Sequence, residues 1–232
     1  MKTIGLIGGM SWESTASYYR LINEQVQQRL GGLHSARILL YSVDFAPIAR
    51  MQAAGDWDGT SRVLADAARG LEAGGADFLL VCANTMHKVA PAIEAAVHLP
   101  LLHIADPTAE AIKRAGYARV GLLGTRFTME DDFYVDRLRQ RHGLDVLVPD
   151  PDEREIIHRV IYDELCLGRV VDTSRDAYRR IMANLVERGA EAIILGCTEI
   201  ALLVHAGDAG VPLFDTTELH ARAAVDQALT RA

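Results

Sequence analysis

Apolar residues follow two rhythms along this chain, and the rhythms alternate. Short continuous apolar runs at residues 3–7, 36–43, 77–82, 101–104, 119–123, 145–148, 193–196 and 213–214 read as strands buried on both faces. Between them the apolar positions recur at helical spacing, as with Tyr18, Tyr19, Ile22, Val26 and Leu30 in the stretch 14–30. The same spacing predicts helices over 57–73, 86–97, 108–115, 129–141, 152–168 and 173–188. Two more are predicted, one ending near Val204 and one starting at Thr217. Gly31-Gly32, Gly74-Gly75 and Gly116 stand where three of these helices must stop. Strands alternating with helices in this way predict an α/β fold with parallel sheets and helical crossovers.

The pattern also repeats. Gly5-Leu6-Ile7-Gly8-Gly9 matches Gly121-Leu122-Leu123-Gly124-Thr125 at an offset of 116 residues. Gly75-Ala76-Asp77-Phe78-Leu79-Leu80-Val81 matches Gly189-Ala190-Glu191-Ala192-Ile193-Ile194-Leu195 at an offset of 114. Two matches at nearly one offset predict two similar α/β lobes related by a pseudo-two-fold axis, with a ligand in the crevice they share. The first lobe is expected over 1–104 and the second over 105–212, with 213–232 packing back on the first.

Composition narrows the function classes. The 232 residues suffice for one large core or two small ones, and half of them are hydrophobic. The formal charge is −7 and no basic block occurs, which argues against nucleic acid. No apolar run approaches the roughly 18 residues of a membrane span, and the start lacks the features of a secretory signal. A cytoplasmic protein is expected. Three cysteines, Cys82, Cys166 and Cys197, with no CxxC pair, predict neither a disulfide framework nor a structural zinc site.

The candidate chemistry centres on Ile193-Ile194-Leu195-Gly196-Cys197-Thr198-Glu199-Ile200. Cys197 leaves a strand and enters a predicted helix, a setting that favours a thiolate. The 114-residue offset maps Cys197 onto Ala83, Thr198 onto Asn84 and Glu199 onto Thr85, while Cys82 falls one residue early. Adjacent strand residues face opposite ways, so Cys82 is expected to point away from the position that matches Cys197. Asn84, Thr85 and Thr198 are either helix caps or donors to a small carboxylate. The Gly8-Gly9-Met10-Ser11 loop is not a dinucleotide fingerprint; its N–H groups, like those at Gly124-Thr125, suit a small ligand. Arg50 and Gln52, at the exit of a strand, could receive a side-chain carboxylate or simply be solvated. His87 could be a local acid or half-buried; His34, His98, His103 and His142 form no metal-ligand cluster. Glu13 and Glu199 could each act as acid or base.

Taken together, Gly8-Gly9-Met10-Ser11-Trp12-Glu13-Ser14, Asn84-Thr85-Met86-His87-Lys88, Leu122-Leu123-Gly124-Thr125 and Gly196-Cys197-Thr198-Glu199-Ile200 resemble the aspartate/glutamate/hydantoin racemase superfamily. The resemblance covers essentially the whole chain and is strongest to the aspartate/glutamate and broad-specificity amino-acid racemases. It implies two α/β lobes around one cleft, no pyridoxal phosphate or metal, and often a homodimer. It also implies two thiols that exchange the Cα proton on opposite faces of an amino acid. Catalysis then falls to Cys197. Substrate contacts fall to Met10, Ser11, Arg50, Gln52, Ala83, Asn84, Thr85, Thr125, Thr198 and Glu199. The family's first motif is Cys-Asn-Thr, and here Ala83 replaces the cysteine. Met10 and Glu199 depart from the cell-wall glutamate racemases. Leu167 before Gly168 replaces a lysine of the aspartate racemases, which widens the expected substrate range. Three functions compete: a cofactor-independent racemase or epimerase, a decarboxylase of the arylmalonate type that keeps only the second thiol, and an amino-acid binder that has lost catalysis.

Overall fold

In the computed structural model residues 1–230 are described. The chain forms two compact units, Met1–Ile104 with the residues from His220 onward, and Ala105–Leu219.

The first unit opens with β1 (Ile4–Gly8), α1 (Trp12–Leu30), β2 (Ile38–Ser42), α2 (Phe45–Ala54), α3 (Trp57–Ala73), β3 (Phe78–Val81) and α4 (Ala90–Ala96). Its parallel sheet runs β2-β1-β3, and a bridge from Leu79 to Leu101 extends it by one position. The continuous apolar runs of β1 and β3 are buried at every residue because helices cover both faces. Ile7, Leu79 and Val81 pack on α3 and α4 through Leu64, Leu71 and Ile93. Ile4, Leu6, Phe78 and Leu80 pack on Tyr18, Ile22 and Val26 of α1.

The second unit contains α5 (Ala105–Arg114), β4 (Arg119–Gly124), α6 (Arg126–Glu130), α7 (Asp132–Asp136), β5 (Asp145–Leu147), α8 (Pro151–Asp163), α9 (Asp172–Glu187), β6 (Ala192–Gly196), α10 (Ile200–Leu203) and β7 (Leu213–Asp215). Its parallel sheet runs β5-β4-β6-β7. The order is that of the first unit: Ile193 pairs with Leu213 as Leu79 bridges Leu101. The repeated sequence thus builds a repeated strand order.

The last helix, α11 (Thr216–Leu229), joins the first unit from His220 on. Ala221, Ala224, Val225 and Ala228 fill the face occupied by Tyr18 and Phe78. The Tyr18 hydroxyl shares a hydrogen bond with His220 Nδ1 (2.8 Å), and His220 Nε2 donates to the Leu102 carbonyl (2.8 Å). Both ring nitrogens of His220 are therefore engaged.

Several elements differ from the sequence expectation. Residues 213–219 fall in the second unit, where β7 pairs with β6. The segment after β2, read as a strand exit, is the helix α2, capped by Asp44 and stopped by Gly55 in the left-handed region. The predicted helix over 86–97 divides into a tight turn at Thr85–Val89 and α4, with Pro91 at the start of α4. The predicted helix over 129–141 divides in the same way. The long helix over 152–168 ends at Asp163.

The loop after β1 rests on one glycine. Gly9 has φ 95°, and a Cβ there would lie 2.2 Å from the Val43 carbonyl oxygen. Gly9→Ala is expected to lower unfolding stability by about 2–4 kcal/mol, combining backbone strain with a clash against main chain. Urea denaturation of the two proteins measures it.

Candidate active site

The candidate residues cluster where the central strands of each sheet end. In the second lobe, β4 and β6 are in register through Gly124 and Gly196, so Thr125 and Cys197 leave the sheet side by side. Gly196 must lack a side chain, since a Cβ would stand 2.7 Å from the Leu123 carbonyl oxygen. That close approach lets β6 run beside β4 up to the residue before the thiol.

Cys197 differs from its expected state. The helix after it is a single turn, Ile200–Leu203, and supplies no long helix start to favour a thiolate. The thiol is 9% exposed and donates to Glu199 Oε2 at 3.0 Å. Burial pushes it well above the ordinary thiol range, and the adjacent Glu199 carboxylate pushes it further. The resting group is a thiol. Glu199 is itself buried, and its Oε2 also accepts the Thr198 hydroxyl at 2.6 Å. Thr198 is thus held by its neighbour. Thr125 caps α6 by accepting from the Thr128 N–H.

Three further groups face Cys197, and periodicity did not single them out. Tyr162 on α8 and Tyr178 on α9 have phenols raised first by burial and then by the nearby thiol. Cys166, half-buried in the turn after α8, also acts electrostatically on Cys197. The only sequence signal of the two tyrosines is their place on two amphipathic helices, and Cys166 lies in the turn that follows the first of them.

In the first lobe Met10, Ala83 and Met86 share one apolar cluster with Ile48, and Gln52 Nε2 lies 3.9 Å from Met86 Sδ. Asn84 and Thr85 are buried beside them, and the Asn84 side chain does not cap the turn that follows it. Ser11 caps α1 by accepting from Ser14 N–H. The Gly9 N–H, expected to face a ligand, donates to Thr15 Oγ1 at 2.7 Å. Arg50 is exposed and makes no ion pair among the described residues, whereas Gln52 is buried. Two residues on a helix lie roughly 200° apart around its axis, which explains the difference.

Cys82 lies on the opposite face of β3 from Ala83. It is fully buried with Tyr18 and Ile22, and burial alone raises its thiol far above the ordinary range. His87 is structural: Nδ1 donates to the Ala83 carbonyl at 2.9 Å and Nε2 accepts the Ile104 N–H at 3.2 Å. Among the described residues no group of three or more His, Cys, Asp or Glu is placed to hold a metal ion, and no helix is long and apolar enough to cross a membrane.

Two α/β lobes, with a buried thiol–carboxylate pair ending the central strand of one, define a class of fold and site that comparison with known proteins identifies. The family model for Asp/Glu/Hydantoin racemase matches residues 7–224, and the chain belongs to that family. It is 59% identical to a candidate Asp/Glu racemase of known structure from Yersinia pestis, covering 99% of this chain and 100% of that one with a TM-score of 0.92. An aspartate racemase homologue from Pyrococcus horikoshii is 35% identical, over 99% and 100% of the two chains, with a TM-score of 0.85. The broad specificity amino-acid racemase RacX of Bacillus subtilis is 23% identical over 225 residues, 96% of each chain.

Cys82→Ala is expected to cost about 1 kcal/mol of stability and to leave the chemistry at Cys197 intact. In the folded protein Cys82 is expected to resist alkylation by iodoacetamide, as read by peptide mass spectrometry.

Proposed function

We propose that this chain is a cofactor-independent amino-acid racemase or epimerase that uses Cys197 for Cα proton transfer. The observation that carries the reading is the Cys197–Glu199 pair at the end of β6 in a chain of the racemase family. Cys197 as thiolate removes the Cα proton, the electron pair passes into the α-carboxylate as an enolate-like anion, and water or a polar neighbour returns a proton to Cα on the opposite face. Asn84 and Thr85, with the main chain at Thr198 because its hydroxyl is held by Glu199, receive that carboxylate and stabilise the charge as it develops. Met10, Ser11, Ala83 and Thr125 line the substrate. Arg50, which has no ion pair among the described residues, is available to a side-chain carboxylate, with Gln52 beside Met86 behind it. Aspartate and glutamate are the first substrates to test, and neutral amino acids follow because Leu167 stands where aspartate racemases carry a cation. The chain works as a homodimer in the cytoplasm.

The methyl group of Ala83 favours a second reading. Ala83 cannot carry a proton, and Cys82 faces the other way. Chemistry with a single thiol, such as decarboxylation with protonation from one side, needs nothing more at that position. A binder without catalysis is the third alternative.

Incubating both enantiomers of aspartate, glutamate and a neutral panel in D2O, with α-deuterium and chirality followed together, separates these readings. Exchange with racemisation is expected. Cys197→Ser should reduce exchange by roughly 10²–10⁴-fold, the usual contribution of a positioned acid–base group. Ala83→Cys should raise racemisation relative to exchange. Full activity in Cys197→Ser, or no exchange with any amino acid, contradicts the proposal.

A further inference from the structure

The site as described leaves one step without an agent. Cys197 rests as a buried thiol, yet only a thiolate can remove a Cα proton. Ionising it to solvent would place a second negative charge 3.0 Å from the Glu199 carboxylate, at a site where both residues are buried.

We propose that Glu199 is the proton acceptor for Cys197, so that the thiolate forms by proton transfer within the pair. This rests on the reading of Cys197 as the proton-transfer group and adds a positioning residue to it. In the step, the S–H bond breaks, the proton moves to Glu199 Oε2, and the electron pair stays on sulfur. The pair carries one negative charge before and after, so no new charge enters the buried site. The thiolate then takes the Cα proton, and the electrons of the C–H bond pass to the substrate. No other reactant is needed.

Three contacts support this assignment. The thiol donates to Glu199 Oε2. The Thr198 hydroxyl donates to the same oxygen, which holds it toward sulfur. The Glu199 backbone N–H is hydrogen-bonded to the Cys197 sulfur and favours its charged form. One residue thus accepts the proton with its side chain and stabilises the resulting anion with its main chain. Among the described residues, the groups that act on the pair from neighbouring elements include Tyr162 on α8, Tyr178 on α9 and Cys166 after α8. Arg126 lies near Tyr162, and Glu164 near Tyr178. Both phenols are raised, so they stay neutral and do not compete for the proton at neutral pH.

Two coupled groups titrate as a pair, and the thiolate tautomer of the singly protonated pair is a constant fraction over the range where that form dominates. The test is the rate of Cys197 alkylation by iodoacetamide against pH, read by peptide mass, in the intact protein and in Glu199→Gln and Glu199→Asp. The wild-type rate is expected to stay level, within about twofold, from about pH 6 to about pH 8. Glu199→Gln keeps the size and the backbone N–H but cannot take a proton as a carboxylate does. Its rate is expected to climb roughly tenfold per pH unit over the same range, as for an isolated thiol. Glu199→Asp should restore part of the level region. A wild-type rate that itself climbs tenfold per unit overturns the proposal, and so does an identical profile in wild type and Glu199→Gln. If Glu199→Gln fails to fold, the wild-type profile alone decides. Alkylation needs no turnover, so a level profile without α-proton exchange upholds the pair and removes the racemase reading. Exchange with matching profiles removes the pair alone.

Discussion

The second lobe depends on the parallel pairing of β4 with β6 up to Gly124 and Gly196. That pairing ends two central strands with continuous apolar runs at the same end of the sheet, where both are buried, so whatever follows them leaves from a dry environment. A thiol placed there loses its hydration and resists ionisation. The adjacent Glu199 carboxylate adds to that effect, because charges interact more strongly away from water. The thiol–carboxylate contact follows from the fold more than from the short turn that bears it.

The first lobe has the same strand order and a different outcome. Its matching turn presents a methyl group at Ala83, and its thiol is one residue early on the other face of β3. His87 ties the Ala83 carbonyl to the Ile104 N–H, and α11 closes the other face through the Tyr18–His220–Leu102 chain of hydrogen bonds. The lobe is therefore fixed by histidines whose ring nitrogens are already engaged, which leaves them poor candidates for proton transfer. The asymmetry lies in the residues at the strand ends and not in the scaffold.

Much of this was legible in the sequence. Two-sided burial writes itself as continuous apolar runs, so β1, β3, β4 and β6 were readable, and the near-constant offset exposed the repeat. The opposed faces of Cys82 and Ala83 followed from strand alternation alone. The helix α2 was missed because Pro47 and a short apolar pattern hide it, although Asp44 and Gly55 mark its ends. Leu213-Phe214 was readable as a strand, but a three-residue strand carries too little pattern to choose its sheet. The ionisation state of Cys197 was misread for a different reason. A strand-to-helix turn predicts a stabilised anion only when the helix is long, and here it is one turn facing a carboxylate. Tyr162, Tyr178 and Cys166 approach the thiol through tertiary packing, which no local spacing encodes.

The central claim is that one thiol, Cys197, carries the chemistry of this chain. The most direct measurement uses a variant in which Cys82 and Cys166 are both alanine, so that Cys197 is the single remaining cysteine. With its fold verified by circular dichroism, this variant is assayed for α-deuterium incorporation into aspartate and glutamate. The account predicts exchange within a few-fold of the parent protein. A folded single-thiol protein with no exchange, beside an active parent, would contradict it.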